Sequence, residues 1–385
     1  LTAKTTTHVK AGICHISSVH PALDIRIFFK ECKSLAAAGY DVTLIAVYNE
    51  EQTIDGVRIV PFRLYKNRFK RILLSPFRML RLAQKQHAAV YHFHDPELIP
   101  IGILLKLFRK KVVYDVHEDV ARQVMYKHWI KSTLLKKIIS ASVSLIEKTG
   151  ALFFDRIVTV TTGIAAKFKP SKTILLRNMP VLEMISRAAP APIKKEKAVI
   201  VYSGGLTRVR GIRQLVDAME YVGDRAELWL LGKWESAAFA LECEQSHGWA
   251  HTRHKGFLPQ EEVFSIMKIS DIGVVTFLPL PNHIEALPNK PFEYMACSLP
   301  IVMSNFSSWK DIFDGCALFA DPEAPEDIAR NFNLLLEDRD LGVRLAARGS
   351  ELIRDEYSWE AEKKHLLNMY NELCPLSNIN KGIAP

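Results

Sequence analysis

Short apolar runs alternate with segments whose apolar residues recur every three or four positions, and the alternation persists through most of the 385 residues. Runs bounded by glycine, proline or charge fit strands buried on both faces, and the periodic segments fit helices laid over such strands. In the first half the strand-like runs are residues 11–17, 42–47, 57–61, 90–93, 111–115 and 157–161. Helical spacing covers 25–38, 69–86, 98–108 and 130–147. The pattern then breaks at Pro180, Pro190 and Pro192 and a small charge cluster, the composition of a linker. It restarts with strands at 198–203, 227–231, 254–257, 272–276 and 301–304, and helices at 212–221, 261–267, 292–297, 325–335, 341–357 and 359–373. The expectation is an α/β chain with two doubly wound parallel sheets, over 1–180 and 198–356, joined by a linker at 181–197. A final helix and tail fill 357–385.

Composition narrows the picture. An apolar fraction of 48% supports two real cores, yet no apolar run reaches the roughly 18 residues that suggest a membrane span. Leu1 to His8 lack the apolar core of a signal peptide, and the six cysteines are dispersed with no C-x-x-C pair. These read as reduced cysteines of a cytoplasmic protein, not as a disulfide or zinc framework. Charge is lopsided: residues 1–190 hold 30 Lys and Arg against 14 Asp and Glu, and the remainder holds 21 against 28. The first half therefore faces an anionic partner. From Tyr65 to Lys85 there are seven basic residues and no acid, interleaved with apolar ones. That segment is read as a helix on an anionic membrane surface, against the alternative of a sheet-covering helix with a solvated basic face. No nucleic-acid motif accompanies it, and nucleic acid is not an expected partner.

Two stretches carry chemistry in the second half. Glu285 and Glu293 flank Pro288-Asn289-Lys290-Pro291, with Asn289 placed to cap a helix starting near Lys290. Free helix amides between two carboxylates make a seat for a phosphate flanked by sugar hydroxyls. Gly204, Gly205, Arg208, Arg210 and Gly211 follow the strand at 198–203; the glycines admit close backbone approach and the arginines can clamp a diphosphate. This is not a dinucleotide fingerprint: G-x-G-x-x-G is not matched, and no acid ends the following strand.

The 283–297 segment resembles the E-x7-E signature of family 4 glycosyltransferases, which have the GT-B fold with a C-terminal helix crossing back to the first domain. The resemblance implies that Glu293 holds the ribose of a nucleotide-sugar, that Glu285 lies by the donor sugar, and that the Asn289 and Lys290 amides lie near the distal phosphate. The glycine turn is similar to the family's pyrophosphate loop. Arg210 stands for its lysine, Gly205 stands where arginine is usual, and Arg208 is the substitute cation. Gly256, Phe257 and Leu258 correspond to the loop that receives the base. In the first half His117 corresponds to a histidine that reaches toward the donor sugar. Glu118 and His94 (more than His92) stand on the acceptor side, as do Asp24 and Arg26 of the first loop, where Asp24 serves equally as a helix cap. Ser298 replaces a frequent glycine. The implied activity is retaining transfer from a nucleotide diphosphate-sugar, expected to be a UDP-sugar, to a lipid-linked or saccharide acceptor of bacterial surface polysaccharide. The acceptor attacks from the leaving-group side, with no metal and no cofactor, at the inner face of the cell membrane. A non-catalytic scaffold and a nucleotide-sugar 2-epimerase are the alternatives.

Overall fold

The computed structural model describes the backbone of residues 11–63, 68–125, 131–284 and 286–375, with side chains except those of 68–75 and 282. It divides into two compact units, Leu1–Asn178 with Glu362–Pro385, and Met179–Ala361. Glu285 and residues 65–67 of the basic segment lie outside the described residues.

The first unit is built on β1 (Gly12–Pro21), β2 (Asp41–Val47), β3 (Gln52–Ile54), β4 (Val57–Phe62), β5 (Val90–Phe93), β6 (Lys111–Val116), β7 (Arg156–Thr159) and β8 (Thr173–Leu175). They form one sheet in the order β3-β4-β2-β1-β5-β6-β7-β8. Every pairing is parallel except the β3-β4 hairpin. Every residue of β5 is buried, as a strand covered on both faces requires. The hairpin turns through Asp55 and Gly56, both at positive φ, which is the Asp-Gly signature of a tight two-residue turn. Gln52-Thr53-Ile54 is too short and polar to register as an apolar run, so β3 escapes pattern reading.

The first helix starts at Ile25, where Asp24 Oδ1 accepts from the amides of Arg26 and Ile27 at 2.8 and 2.9 Å. Its opening is wound wide, Phe29 N reaching Asp24 O at 3.2 Å, before ordinary α-winding over Lys33–Ala37. Such π-winding turns side chains off the usual helical stripe. Here Arg26, Lys30 and Glu31 are buried on it. The last helix, Trp359–Leu373, joins the first unit from Glu362 onward. Glu362 holds the Arg177 guanidinium at 2.6 Å, and Tyr370 is completely buried.

The second unit carries β9 (Ala198–Ser203), β10 (Ala226–Leu231), β11 (Thr252–Gly256), β12 (Ile272–Val275), β13 (Ile301–Ser304) and β14 (Ala317–Ala320), all parallel in the order β11-β10-β9-β12-β13-β14. The stretch expected as a linker is integrated into this unit. Residues Leu182–Arg187 form a helix, Ile185 is buried in the core, and Ala191 N bonds Ser265 O at 3.0 Å. Proline-rich composition marked a change of unit without marking free chain. Ser298 adopts a positive φ of 57° after its helix, the conformation for which glycine is the unstrained choice.

Candidate functional site

In doubly wound sheets, ligands bind beyond the carboxyl ends of the strands where the strand order reverses. That point lies between β9 and β12 in the second unit and between β1 and β5 in the first. The loops leaving these strands hold Asp24, His94, Gly204, Gly205, Arg208 and Arg210, and the helices that follow hold Arg26, Asn289, Lys290 and Glu293.

In the second unit, Gly204 follows β9 with φ 151°, and the Arg210 guanidinium folds back over the turn. A Cβ on Gly204 would lie 2.9 Å from Arg210 Nη1, and one on Gly205 would lie 3.4 Å away. The Tyr202 hydroxyl donates to Gly205 O at 3.1 Å and fixes the turn. Arg210 is also 5.5 Å from the centre of the Phe277 ring. Gly211 and Gly232 are glycine for packing. A Cβ there would fall 1.9 Å from Thr276 O and 1.7 Å from Gly204 O, so three strand-end loops close on one another main chain to main chain. Two buried hydroxyls, Thr207 Oγ1 and Thr276 Oγ1, have no hydrogen-bond partner beside this turn. Buried hydroxyls are normally paired, so these are donors without an acceptor.

The helix Asn289–Ala296 has Pro288 at its N-cap, and no side chain caps its amides. It begins one residue earlier than predicted, and Asn289 is its first residue, not its cap. Tyr294 packs its ring on Gly273 of β12, and its hydroxyl accepts from Ser203 N at 3.1 Å. This ties the helix to the residue preceding the glycine turn. Glu293 is buried, with Lys290 Nζ 2.6 Å from its carboxylate. Arg208 turns elsewhere: it lies over Phe239, is half exposed, and forms a forked pair with Glu242. In this structure the cation over the turn is Arg210. Gly256 has φ 78°, and the exposed Phe257 ring after it stands 4.5 Å from Lys233 Nζ, with Leu258 partly buried alongside.

The first unit's strand ends are filled with polar side chains that largely bond one another, although His92 Nε2 and both Glu31 carboxylate oxygens have no hydrogen-bond partner. Asp115 of β6 receives Arg26 by a fork at 2.9 and 3.0 Å, and His94 Nδ1 at 3.0 Å. His94 Nε2 meets His15 Nδ1 at 3.0 Å, and the Tyr370 hydroxyl joins His92 Nδ1 and His15 Nε2 at 2.9 and 3.2 Å. All of these groups are buried. Burial opposes the charge on Asp115, but the Arg26 guanidinium and the hydrogen-bonding histidines outweigh it and hold the carboxyl well below its usual range. Burial pushes His15 and His92 well below the ordinary imidazole value and raises Glu31 well above the carboxylate range. Arg26 and His94 were expected to face an acceptor. Both are instead buried members of this network, because Asp115 needs a cationic partner inside the unit. Asp24 is the helix cap.

A second constellation, buried at Asp95, Ser17 and Ser18 and reaching solvent at His20 and Glu118, lies beside this network. Asp95 accepts from Ser18 N at 2.6 Å and Ser17 Oγ at 2.9 Å, and lies 3.0 Å from His20 Nδ1. Burial works against the Asp95 charge, yet the His20 hydrogen bond and the serine donors bring its value down to about 2. The same hydrogen bond raises His20 above the ordinary imidazole value. The His20 ring meets His117 edge-on at 5.1 Å. His117 is partly buried, its Nδ1 3.7 Å from Asp115 and without a hydrogen bond. Glu118 is exposed and accepts from Gln123 at 3.1 Å. His20, Asp95, Thr207 and Thr276 were missed by motif reading. The run His94-Asp95-Pro96 offered a signal for Asp95, since it follows a buried strand at the sheet's reversal point.

Among the described residues, two groups bring metal-ligating atoms within 4.8 Å of one another: His15, Glu31, His92 and His94, and His94, Asp115 and His117. In the first, His15 and His94 bond each other, His15 Nε2 and His92 Nδ1 bond Tyr370, and Arg26 Nε sits 3.1 Å from Glu31, while His92 Nε2 and the Glu31 oxygens have no hydrogen-bond partner.

Two doubly wound parallel-sheet units, each with a reversal point, and in one of them a glycine turn, an arginine and an uncapped helix start, fit the GT-B class of glycosyltransferases. Residues 27–171 match the family described as Glycosyltransferase Family 4, and residues 186–352 match Glycosyl transferases group 1. The chain belongs to glycosyltransferase family 4. It is 25% identical over 227 residues to the O-antigen chain mannosyltransferase B of Escherichia coli, covering 57% of this chain and 55% of that protein. It is 24% identical over 316 residues to the lipopolysaccharide core biosynthesis glycosyltransferase LpsD of Rhizobium meliloti (strain 1021), covering 78% and 89%. The match thus spans about half the length of the first relative and most of the second. The crystal structure of Anabaena Alr3699/HepE in complex with UDP-glucose is similar in fold, with a TM-score of 0.69 over 94% of this chain and 99% of that one at 11% identity.

Proposed function

We propose that this protein transfers a sugar, with retention of configuration, from a nucleoside diphosphate-sugar to a saccharide or lipid-linked acceptor in bacterial surface-polysaccharide synthesis. The observation that carries the reading is the Arg210 guanidinium folded over the Gly204–Gly205 turn, beside two unpaired buried hydroxyls. Arg210, Thr207, Thr276 and the amides at Asn289 and Lys290 would stabilise the negative charge that develops on the departing diphosphate. This assigns to protein donors the work a cation would otherwise do. Glu293 would accept hydrogen bonds from the ribose and Glu285 from the donor sugar. His117 would position that sugar, and the departing phosphate would take the acceptor's proton. The base would lie at Gly256–Leu258. A UDP-sugar is the donor we favour, in keeping with the UDP-glucose of the Anabaena structure, and the protein would work at the inner face of the membrane.

Thermal shift against UDP, GDP, CDP and their sugar conjugates tests the donor site, because a ligand that binds only the folded state raises Tm by mass action. A shift with uridine compounds, lost in Glu293→Ala and Arg210→Ala and unaltered by EDTA, is expected. No shift with any of them in the wild type would remove the catalytic reading in favour of a scaffold.

A further inference from the structure

The helix Thr133–Phe153 is inside out for a soluble domain. Leu134, Ile138, Leu145 and Leu152 run along one line of it, and Leu135, Ile146 and Phe153 widen that line. All seven are between 48% and 68% exposed. The spacing of four and then seven residues puts them on one face of a helix about 30 Å long. The opposite side holds the helix in place: Gly150 packs on Ile99, and the helix's one acid, Glu147, is buried against the Tyr114 hydroxyl at 3.0 Å. Scattered exposed leucines need no explanation, but a continuous stripe does. In the described part of the segment read above as membrane-facing, helix Arg68–Gln84 buries Met79 and Ala83 in the core and turns Phe77, Arg78 and Arg81 outward.

The charges beside the stripe are of one sign. Lys131, Lys137 and Lys148 are exposed along it. A groove of about 390 Å³ opens at its end, lined by Leu145, Leu152, Lys148, Lys167, Lys169 and Lys172, with no acid in its lining. Lys167 is paired with Asp119 at 2.5 Å and Lys172 donates to the carbonyls of Leu152 and Phe154, so Lys148 and Lys169 are the lysines offered to a headgroup. We propose that the Thr133–Phe153 face is a lipid-docking surface, which inserts its apolar stripe among acyl chains while the lysine-lined groove receives an anionic phosphate headgroup. A helix with an apolar face and lysines at its edge is the form that lies in the plane of an anionic membrane. A second copy of the chain fits poorly, since a two-fold pairing sets identical surfaces together and would bring lysine against lysine. The inference deepens the membrane side of the proposed function and is independent of the donor site.

The test is co-sedimentation of the full chain with vesicles of phosphatidylcholine alone, or with phosphatidylglycerol added. Binding to the anionic vesicles is expected, weaker on the neutral ones. Leu134→Gln/Ile138→Gln/Leu145→Gln/Leu152→Gln should lower it by about ten-fold or more, given the apolar area withdrawn, and Lys148→Glu/Lys169→Glu should lower it on anionic vesicles only. Unchanged Tm and an unchanged nucleotide-induced shift show that fold and donor site are intact. Three results would overturn the proposal: unaltered partitioning of the glutamine variant; loss of binding only when Lys66, Arg68, Lys70 and Arg71 are neutralised; or a dimer without lipid affinity that the glutamine variant converts to monomer.

Discussion

The strand ends of the two units both carry buried polar side chains, and these are tied up to different degrees. In the first unit, Asp115, Arg26, His94, His15, His92 and Tyr370 bond one another out of solvent. In the second, Thr207 and Thr276 are buried without partners, the Asn289 helix start is uncapped, and Arg210 lies over bare glycine. The first unit also keeps His92 Nε2, His117 Nδ1 and the Glu31 oxygens without hydrogen bonds. The contrast is therefore one of degree: most of its polar groups are tied to the Asp115–Arg26 pair, whereas the second unit's groups gather around a bare glycine turn and an uncapped helix start.

Substitution should separate the two conditions most sharply at Asp115 and Arg210. Asp115→Ala removes the forked partner of buried Arg26 and leaves Glu31, at 3.1 Å, as its ion-pair partner, and losing one member of a buried pair costs up to about 3–5 kcal/mol. Chemical denaturation should show that loss, and Arg26→Ala should show one of similar size. Arg210→Ala should change stability by less than about 1 kcal/mol and lower kcat by about 10²–10³-fold, the usual effect of removing a donor to a developing anion. If instead Arg210→Ala unfolded the protein while Asp115→Ala impaired turnover alone, the contrast would be reversed and the assignment of scaffold and site with it.

Much of this division could be read before any coordinates. The apolar runs located β9 and β13 to the residue, since strands buried on both faces leave little else for the sequence to do. Gly204, Arg210 and Glu293 were singled out because a glycine turn after such a strand, and a Pro-Asn-Lys-Pro helix start, are able to receive a ligand, and the structure brings Arg210 over the Gly204 turn. Arg26 and His94 were misplaced for the opposite reason. Residue type and loop position cannot say whether an arginine is answered from inside, and Asp115 lies 89 residues from Arg26. Thr207 and Thr276 were invisible because an orphan hydroxyl is defined by what surrounds it. The exposed stripe of Thr133–Phe153 was similarly hidden: its apolar period announces a helix with a covered face, and nothing in the period tells which face the sheet takes.

A smaller effect sharpens the comparison within the second unit. Thr276→Val removes a buried hydroxyl that bonds nothing in the free protein, so stability should stay within about 0.5 kcal/mol of wild type or rise. If the hydroxyl bonds the donor diphosphate, nucleotide affinity should fall by about five- to ten-fold, the worth of one hydrogen bond of about 1–1.5 kcal/mol. Calorimetric titration with UDP measures this directly. A variant less stable and equally avid would make Thr276 ordinary packing.

The mildest test concerns the one place in the first unit that combines a closed network with an open face. His20 is raised by its hydrogen bond to Asp95, and Asp95 is brought down to about 2. A raised imidazole stabilises the fold fully below its ordinary value of about 6.5 and loses that contribution as pH climbs through the raised value. A lowered carboxylate contributes above its ordinary value of about 3.9 and loses it as pH falls toward 2. The pair should therefore stabilise most between about pH 4 and 6.5, and the stability gap between wild type and His20→Ala should close as pH rises toward 9. NMR titration of the His20 ring gives the sharper reading: Asp95→Asn should bring its value down toward that of a free imidazole. A His20 value indifferent to Asp95 would mean that the 3.0 Å contact carries no charge.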